Sequence, residues 1–64
     1  MRNIKPYYKR IIVEYCDIDG KERSYTIDCV DRNTWADRFS TEWARLLQLK
    51  EQGEILDFVI SSAN

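Results

Sequence analysis

The stretch IIVEYCDIDGKERSYTIDC at residues 11–29 decides the fold. Apolar and polar residues alternate on both sides of Asp19-Gly20, and alternation over this length is typical of two half-buried strands. An Asp-Gly pair between two such strands predicts a β-hairpin.

Two loop lengths give two different registers for this hairpin. A two-residue loop pairs Val13 with Thr26 and divides the apolar side chains between both faces. A three-residue loop at 18–20, with its glycine in the left-handed conformation that glycine adopts at little cost, pairs Val13 with Tyr25. Because a slip of one residue turns every side chain to the other face, we favour the second register. It places six residues on one face: Ile11, Val13, Tyr15, Tyr25, Ile27 and Cys29.

A helix is predicted after the hairpin. Thr34, followed by Asp37 three residues later, resembles a capping box at its start, and Asp31 and Asn33 are the alternative caps. Gly53 is well placed to end the helix. The large apolar residues between these points recur with the helical period. They predict a stripe that faces the sheet: Trp35, Phe39, Trp43, Leu46 and Leu47.

A third strand is predicted over roughly 54–61, directly after the helix. Beside the first strand it makes an antiparallel sheet of order 2-1-3, whereas beside the second it forms a parallel pair with a right-handed crossover. We favour the first arrangement, because the helix then crosses the whole apolar face. The sequence therefore predicts a single α+β domain over residues 1–64, ββαβ, with one helix on a three-stranded, mostly antiparallel sheet and with 1–6 and 62–64 loose.

The residues present argue against catalysis. The chain has no histidine, which excludes Ser-His-Asp and Cys-His nucleophilic systems within one chain and removes the commonest metal ligand. Residues 17–20 look like a fragment of a calcium loop, but alignment on the glycine puts Tyr15 and Thr26 at ligand positions where neither fits. We therefore expect a protein that is not an enzyme and has no catalytic residues, cofactor or metal.

The two cysteines and the lack of a long apolar run bear on the compartment. In the favoured register Cys16 and Cys29 lie on opposite faces of the sheet, so a disulfide between them is disfavoured and both thiols are expected to be free. The N-terminus lacks the apolar stretch of a signal peptide, and no run approaches the roughly 18–20 apolar residues of a membrane span. We expect a cytoplasmic protein with no membrane partner.

The third strand predicts a protein-binding surface, because apolar residues lie on both of its faces. Such a strand is normally covered on both sides, and one helix covers only one. Ile12, Ile55 and Val59 are therefore expected to form an apolar patch on the open sheet face. We expect this patch, together with Tyr7, Tyr8 and the edge of the third strand, to dock onto a protein partner or a second copy. Small proteins of this kind are often regulators, inhibitors or accessory proteins, including those of phages and mobile elements.

The alternative is a nucleic-acid-binding module. Residues 1–10 carry four basic side chains and no acidic one, whereas the rest of the chain has a net charge of −5 and the whole chain −1. Basic residues interleaved with aromatic ones suit single-stranded nucleic acid, and they form the cluster Arg2, Lys5, Tyr7, Tyr8, Lys9 and Arg10. Because the body of the chain is acidic, protein binding is the preferred hypothesis.

Overall fold

A computed structural model of the chain describes residues 8–64. It contains β1 (Arg10–Asp17), β2 (Glu22–Asp28), α1 (Arg32–Glu51) and β3 (Ile55–Ala63). The strands form one sheet of order β2-β1-β3, with both pairings antiparallel, and α1 packs on one face of it. The predicted α+β fold, its ββαβ order and its strand order are confirmed, and the second face of the sheet is open.

The hairpin has the three-residue loop and the register favoured from the sequence. Val13 lies opposite Tyr25, and Arg10 lies opposite Asp28. Gly20 has a φ of +86°, a value at which a side chain would be strained. Period-two alternation and one glycine are therefore enough to fix the pairing of β1 with β2.

The Asp17 carboxylate organises the turn of this hairpin. It accepts the backbone N–H groups of Asp19 and Lys21 at 3.0 and 2.9 Å and the Nε–H of Arg23 at 2.9 Å. The bond from Arg23, followed by the bond from Lys21, lowers the pKa of Asp17. The turn is thus held by the side chain that precedes it as well as by its glycine.

Both ends of α1 are capped by local chemistry. Of the three capping candidates, Asp31 is the one used: its Oδ1 accepts the N–H of Thr34 at 2.8 Å, and this contact lowers the pKa of Asp31. At the other end Gly53 has a φ of +79°, and the N–H of Glu54 donates to the Leu49 carbonyl at 2.9 Å. That backbone pattern is a Schellman motif, which stops the helix where the sequence predicts.

The helix face that covers the sheet differs from the predicted one. Glu42 is 7% exposed, whereas Trp43 and Leu47, both predicted to face the sheet, are 48% and 39% exposed. The stripe that faces the sheet is Trp35, Phe39, Glu42, Leu46 and Leu49. A helical pattern that counts only apolar residues cannot include the buried Glu42, so it assigns the neighbouring Trp43 to the sheet-facing side instead.

β3 contains an irregularity that the sequence did not reveal. Cys16 lies opposite Asp57, but Asp17 lies opposite Ile55, so Leu56 is an extra residue and forms a β-bulge. Because side chains alternate along a strand, one extra residue turns Ile55 to the helix side, where it is 6% exposed. This corrects the prediction that Ile55 lies on the open face: it belongs to the core.

β3 also continues further than expected. Ala63 lies opposite Arg10, and the Nε1–H of Trp35 donates to Ser62 Oγ at 3.0 Å. Residues 62 and 63, expected to be loose, are therefore part of the sheet. Residues 1–6, also expected to be loose, lie outside the part that the structure describes.

The cysteines behave as expected from the register. Both are free thiols, with Cys16 half-buried and Cys29 buried in the core. Along residues 8–64, no helix combines the length and the apolar character needed to cross a membrane.

Leu46 and its neighbour Leu47 test the orientation of the helix. Leu46→Ala is expected to lower the free energy of unfolding by about 3–5 kcal/mol, because Leu46 is 1% exposed and its removal leaves a cavity. Leu47→Ala is the matched control and is expected to cost about 1 kcal/mol or less, because that side chain is already partly in water. Urea denaturation followed by tryptophan fluorescence measures both, and equal losses would contradict this orientation.

Candidate protein-binding site

Within residues 8–64 the sheet has two free edges, β2 and β3, because β1 lies between them. A free edge presents backbone groups that can pair with another strand, and proteins blunt such edges with charged side chains. β2 carries three charged residues, Glu22, Arg23 and Asp28, whereas the longer β3 carries only Asp57. β3 is therefore the more receptive edge.

Asp57 covers only the beginning of the β3 edge. Its Oδ1 accepts the backbone N–H of Phe58 at 2.9 Å and a proton of Lys50 Nζ at 3.2 Å, and these bonds, Phe58 first, lower the pKa of Asp57. Asp57 starts from the open face, opposite Cys16, while Lys50 belongs to the helix on the other face. The carboxylate therefore reaches around the free edge, and the Phe58 N–H points outward there.

No side chain in the described part of the protein covers the rest of this edge in the same way. Backbone N–H groups alternate between the two sides of a strand, so those of Ile60 and Ser62 point outward in the same direction as that of Phe58. Residues 58–63 contain no charged side chain. This half of β3 presents backbone donors and acceptors to any strand that lies alongside it.

Exposed apolar side chains of α1 lie beside the same edge. The rings of Trp43 and Phe58 meet edge to face, with centroids 5.4 Å apart and planes at 75°. Trp43, Leu47 and Lys50 follow one another at helical spacing on one face of α1, and the outer two reach β3, so Leu47 lies beside β3 as well. We call this surface the β3 edge site: the outward backbone groups of Phe58, Ile60 and Ser62 with the side chains of Trp43 and Leu47.

Two of the three residues of the predicted patch lie together on the open face. Ile12 is opposite Ser61, and Val59 is opposite Glu14, which makes Ile12 and Val59 diagonal neighbours. Val59 is 58% exposed and Ile12 is half-buried. Toward the hairpin the face becomes polar, with a shallow groove of about 430 Å³ whose lining includes Glu14, Cys16, Glu22, Ser24 and Asp57. The apolar patch is thus smaller than predicted, but its centre, Val59, borders the β3 edge site.

The N-terminal cluster is only partly described by the structure. Three of its members lie outside the described residues: Arg2, Lys5 and Tyr7. Tyr8 is 37% exposed, and its ring lies 5.8 Å from that of Trp35, on the helix side of the sheet. Lys9 is exposed, and Arg10 begins β1 opposite Asp28. The structure therefore does not join Tyr8 to Val59 in one surface.

A polar cluster that the sequence did not reveal connects α1 to β2. The Tyr25 hydroxyl donates to Glu42 Oε1 at 2.6 Å, and the Arg45 guanidinium donates to that hydroxyl and to Glu42 at 2.8 and 3.1 Å. Because α1 approaches β3 and β1 most closely, these side chains span the wider gap to β2. The heptad spacing 35, 39, 42, 46, 49 is the signal in the sequence that could have placed Glu42 here.

The pKa values in this cluster reflect both burial and hydrogen bonding. Burial is the largest influence on the pKa of Glu42 and raises it, but the bonds from Tyr25 and Arg45 together outweigh burial, so the pKa is lowered. Burial, followed by the bond to Glu42, raises the pKa of Tyr25. Glu42 is therefore held in its charged form within the folded protein.

Neither metal ligation nor similarity to another protein identifies the site. Within residues 8–64, no group of three or more His, Cys, Asp or Glu side chains is placed to hold a metal ion. No protein-family model, curated protein or solved structure matches this chain. The β3 edge site is singled out by its own geometry, which combines outward backbone groups with exposed apolar side chains.

Glu42→Gln is expected to change how stability depends on pH. The pKa of Glu42 in the folded protein lies below its ordinary value of 4.5. The charged carboxylate therefore stabilises the fold above pH 4.5, and this stabilisation is lost as the pH falls through the pKa of the folded state. The variant should therefore be less stable than the wild type by about 1–2 kcal/mol near neutral pH, and the difference should shrink below about pH 4. Urea titrations at several pH values measure this, and a difference that grows toward acid pH would contradict it.

Proposed function

We propose that this chain is a small non-catalytic protein-binding module that takes an extended strand at the β3 edge site. The observation that carries the proposal is the half of β3 that no other described residue covers, lying next to the exposed side chains of Trp43 and Leu47. The strand belongs to a protein partner or to a second copy of the chain. In this role the chain is a cytoplasmic regulator, inhibitor or accessory protein.

Strand addition explains why both parts of the site are needed. Backbone hydrogen bonds to the edge supply affinity for any extended segment, and pockets for alternate side chains supply selectivity. On the helix side those side chains meet Trp43 and Leu47. On the open side they meet Val59, with Ile12 behind it, so the predicted patch contributes to the same surface.

Asp57 sets a threshold for strand addition. An incoming strand that pairs along the whole edge must displace the carboxylate from the Phe58 N–H, while Lys50 can keep its partner. A charge that covers an edge in this way discourages unselective pairing. The module is thus expected to prefer strands with enough apolar contact to Trp43 to offset that loss.

The nucleic-acid alternative remains a hypothesis for the N-terminal end. Tyr8, one of its aromatic members, already packs against Trp35, which reduces the ring face available to a base. Binding of single-stranded DNA, measured by electrophoretic mobility shift, would favour this alternative if the affinity falls steeply with added salt, since phosphate contacts release counterions. Strand addition at the β3 edge site should depend only weakly on salt, because the site itself is uncharged and the neighbouring Asp57 is paired with Lys50.

Trp43→Ala tests the proposal through selected peptides. A library of displayed peptides as long as β3 is panned against the protein, and the binders are expected to have alternating strand-forming sequences. Their affinity should fall about tenfold or more in Trp43→Ala, since a central aromatic residue often dominates an interface. Ile18→Ala, which shortens another exposed apolar side chain, is the matched control and should bind normally.

Amide hydrogen exchange locates the bound peptide. Binding should slow exchange at Ile60 and Ser62, whose N–H groups gain partners, and leave the edge of β2 unchanged. Protection along β2 instead, or affinity that is insensitive to Trp43→Ala in a folded variant, would refute strand addition at the β3 edge site.

A further inference from the structure

We infer that the strand received by the β3 edge site is β3 of a second copy, so that two chains share one continuous six-stranded sheet. The two β3 strands run antiparallel about a two-fold axis beside Val59, the middle residue of the strand. This inference rests on the proposed function and names the partner at the same site.

The distribution of charged side chains favours β3 over β2 as the edge that pairs with itself. With Val59 on the axis, Asp57 lies opposite the partner's Ser61, and no charged side chain faces another across the β3 junction. β2 paired with itself over its full length would centre on Tyr25 and set Glu22 against the partner's Asp28, twice by symmetry. Because like charges directly opposite each other are destabilising, the charge pattern allows self-pairing at β3 and opposes it at β2.

The outward backbone groups of β3 match in the same register. The N–H and C=O of Phe58 meet those of the partner's Ile60, and symmetry repeats the exchange on the other side of the axis. The Phe58 N–H leaves Asp57 to do this and gains a backbone carbonyl. On the helix side the Phe58 ring then lies beside the partner's Ile60, and an aromatic side chain next to a β-branched one is a favourable cross-strand pair.

The position of the helix fits the same symmetry. A two-fold axis perpendicular to the sheet keeps both helices on one face. Strands lie about 4.8 Å apart, so a helix packed over β3 and β1 stands about 5 Å from the axis, and the two helices stand about 10 Å apart. That separation is near the 8–10 Å typical of packed helices, and Trp43 and Leu47 are the side chains that project into the space between them.

Cysteine cross-linking tests the register in the full chain. In a Cys16→Ser background, Val59→Cys should form a disulfide-linked dimer on oxidation, because residues paired across the axis have Cα atoms about 4.5 Å apart. Ser61→Cys, on the same face of the same strand, is the matched control. It should not cross-link, because the two copies of that position lie about 14 Å apart along the strands. The reverse result would overturn the proposed register.

Charge substitution with sedimentation tests the two-fold dimer itself. The wild type is expected to dimerise with rising concentration. Val59→Lys should raise the dimer dissociation constant about fivefold or more, because two lysines then face each other. Thr26→Lys, on the open face of β2, is the control and should leave the dissociation constant unchanged. An equimolar mixture of Val59→Lys and Val59→Glu should recover dimer formation.

The outcomes also separate this inference from the proposed function. A wild type that stays monomeric but binds selected peptides at Ile60 and Ser62 overturns the second copy as occupant and leaves strand addition intact. Open-ended assemblies overturn the closed two-fold arrangement. A monomer that binds no peptide overturns both.

Discussion

The rest of the structure depends on one constraint: a single helix has to cover one face of a three-stranded sheet. α1 lies nearest to β3 and β1, where Leu46 packs against Ile11, Val13 and Ile55 in the buried core. β2 lies farther from the helix, and its side chains Tyr25 and Ile27 are only partly buried against the core. The Tyr25 hydroxyl reaches from β2 and the Glu42 carboxylate reaches from α1 into the gap between these two elements, and the hydrogen bond between them satisfies both polar groups in a partly buried position.

Burying Glu42 has a consequence for the next residue of the helix. Consecutive residues of a helix point about 100° apart, since one turn takes 3.6 residues, so Trp43 cannot face the sheet as well. It turns toward β3 and leaves the domain with a half-exposed tryptophan beside its least charged edge. The polar cluster that connects α1 to β2 and the exposed apolar side chains beside β3 therefore both follow from the same rotation of α1 about its axis.

Sequence reasoning succeeded where a local rule has no competitor. The pairing of Val13 with Tyr25 follows from alternation and from Gly20, and the helix ends follow from capping residues and Gly53. It failed where tertiary context overrides the local pattern. Glu42 has the character of a solvent-facing residue unless its partner Tyr25 is known. The bulge at Leu56 has no signature in the composition, so strict alternation predicts the wrong face for Ile55. The sequence also predicts a contact surface at the β3 edge, which stays a prediction. It does not predict the exposed apolar side chains beside that edge, because the helical pattern assigns Trp43 to the core.

The bulge in β3 affects both the core and the proposed binding edge. Bulges occur often at sheet edges, where they re-aim side chains, and the extra residue in β3 brings Ile55 into the core immediately before the strand reaches Asp57. The carboxylate of Asp57 then meets Lys50 around the free edge and occupies the first outward N–H. One irregularity thus anchors the start of β3 from inside and protects it from outside, which confines the receptive part of the edge to residues 58–63. In the proposed strand addition, an added strand would meet Trp43 and Val59 without disturbing the packing of Ile55, so the proposed binding surface and the core use different parts of a single strand.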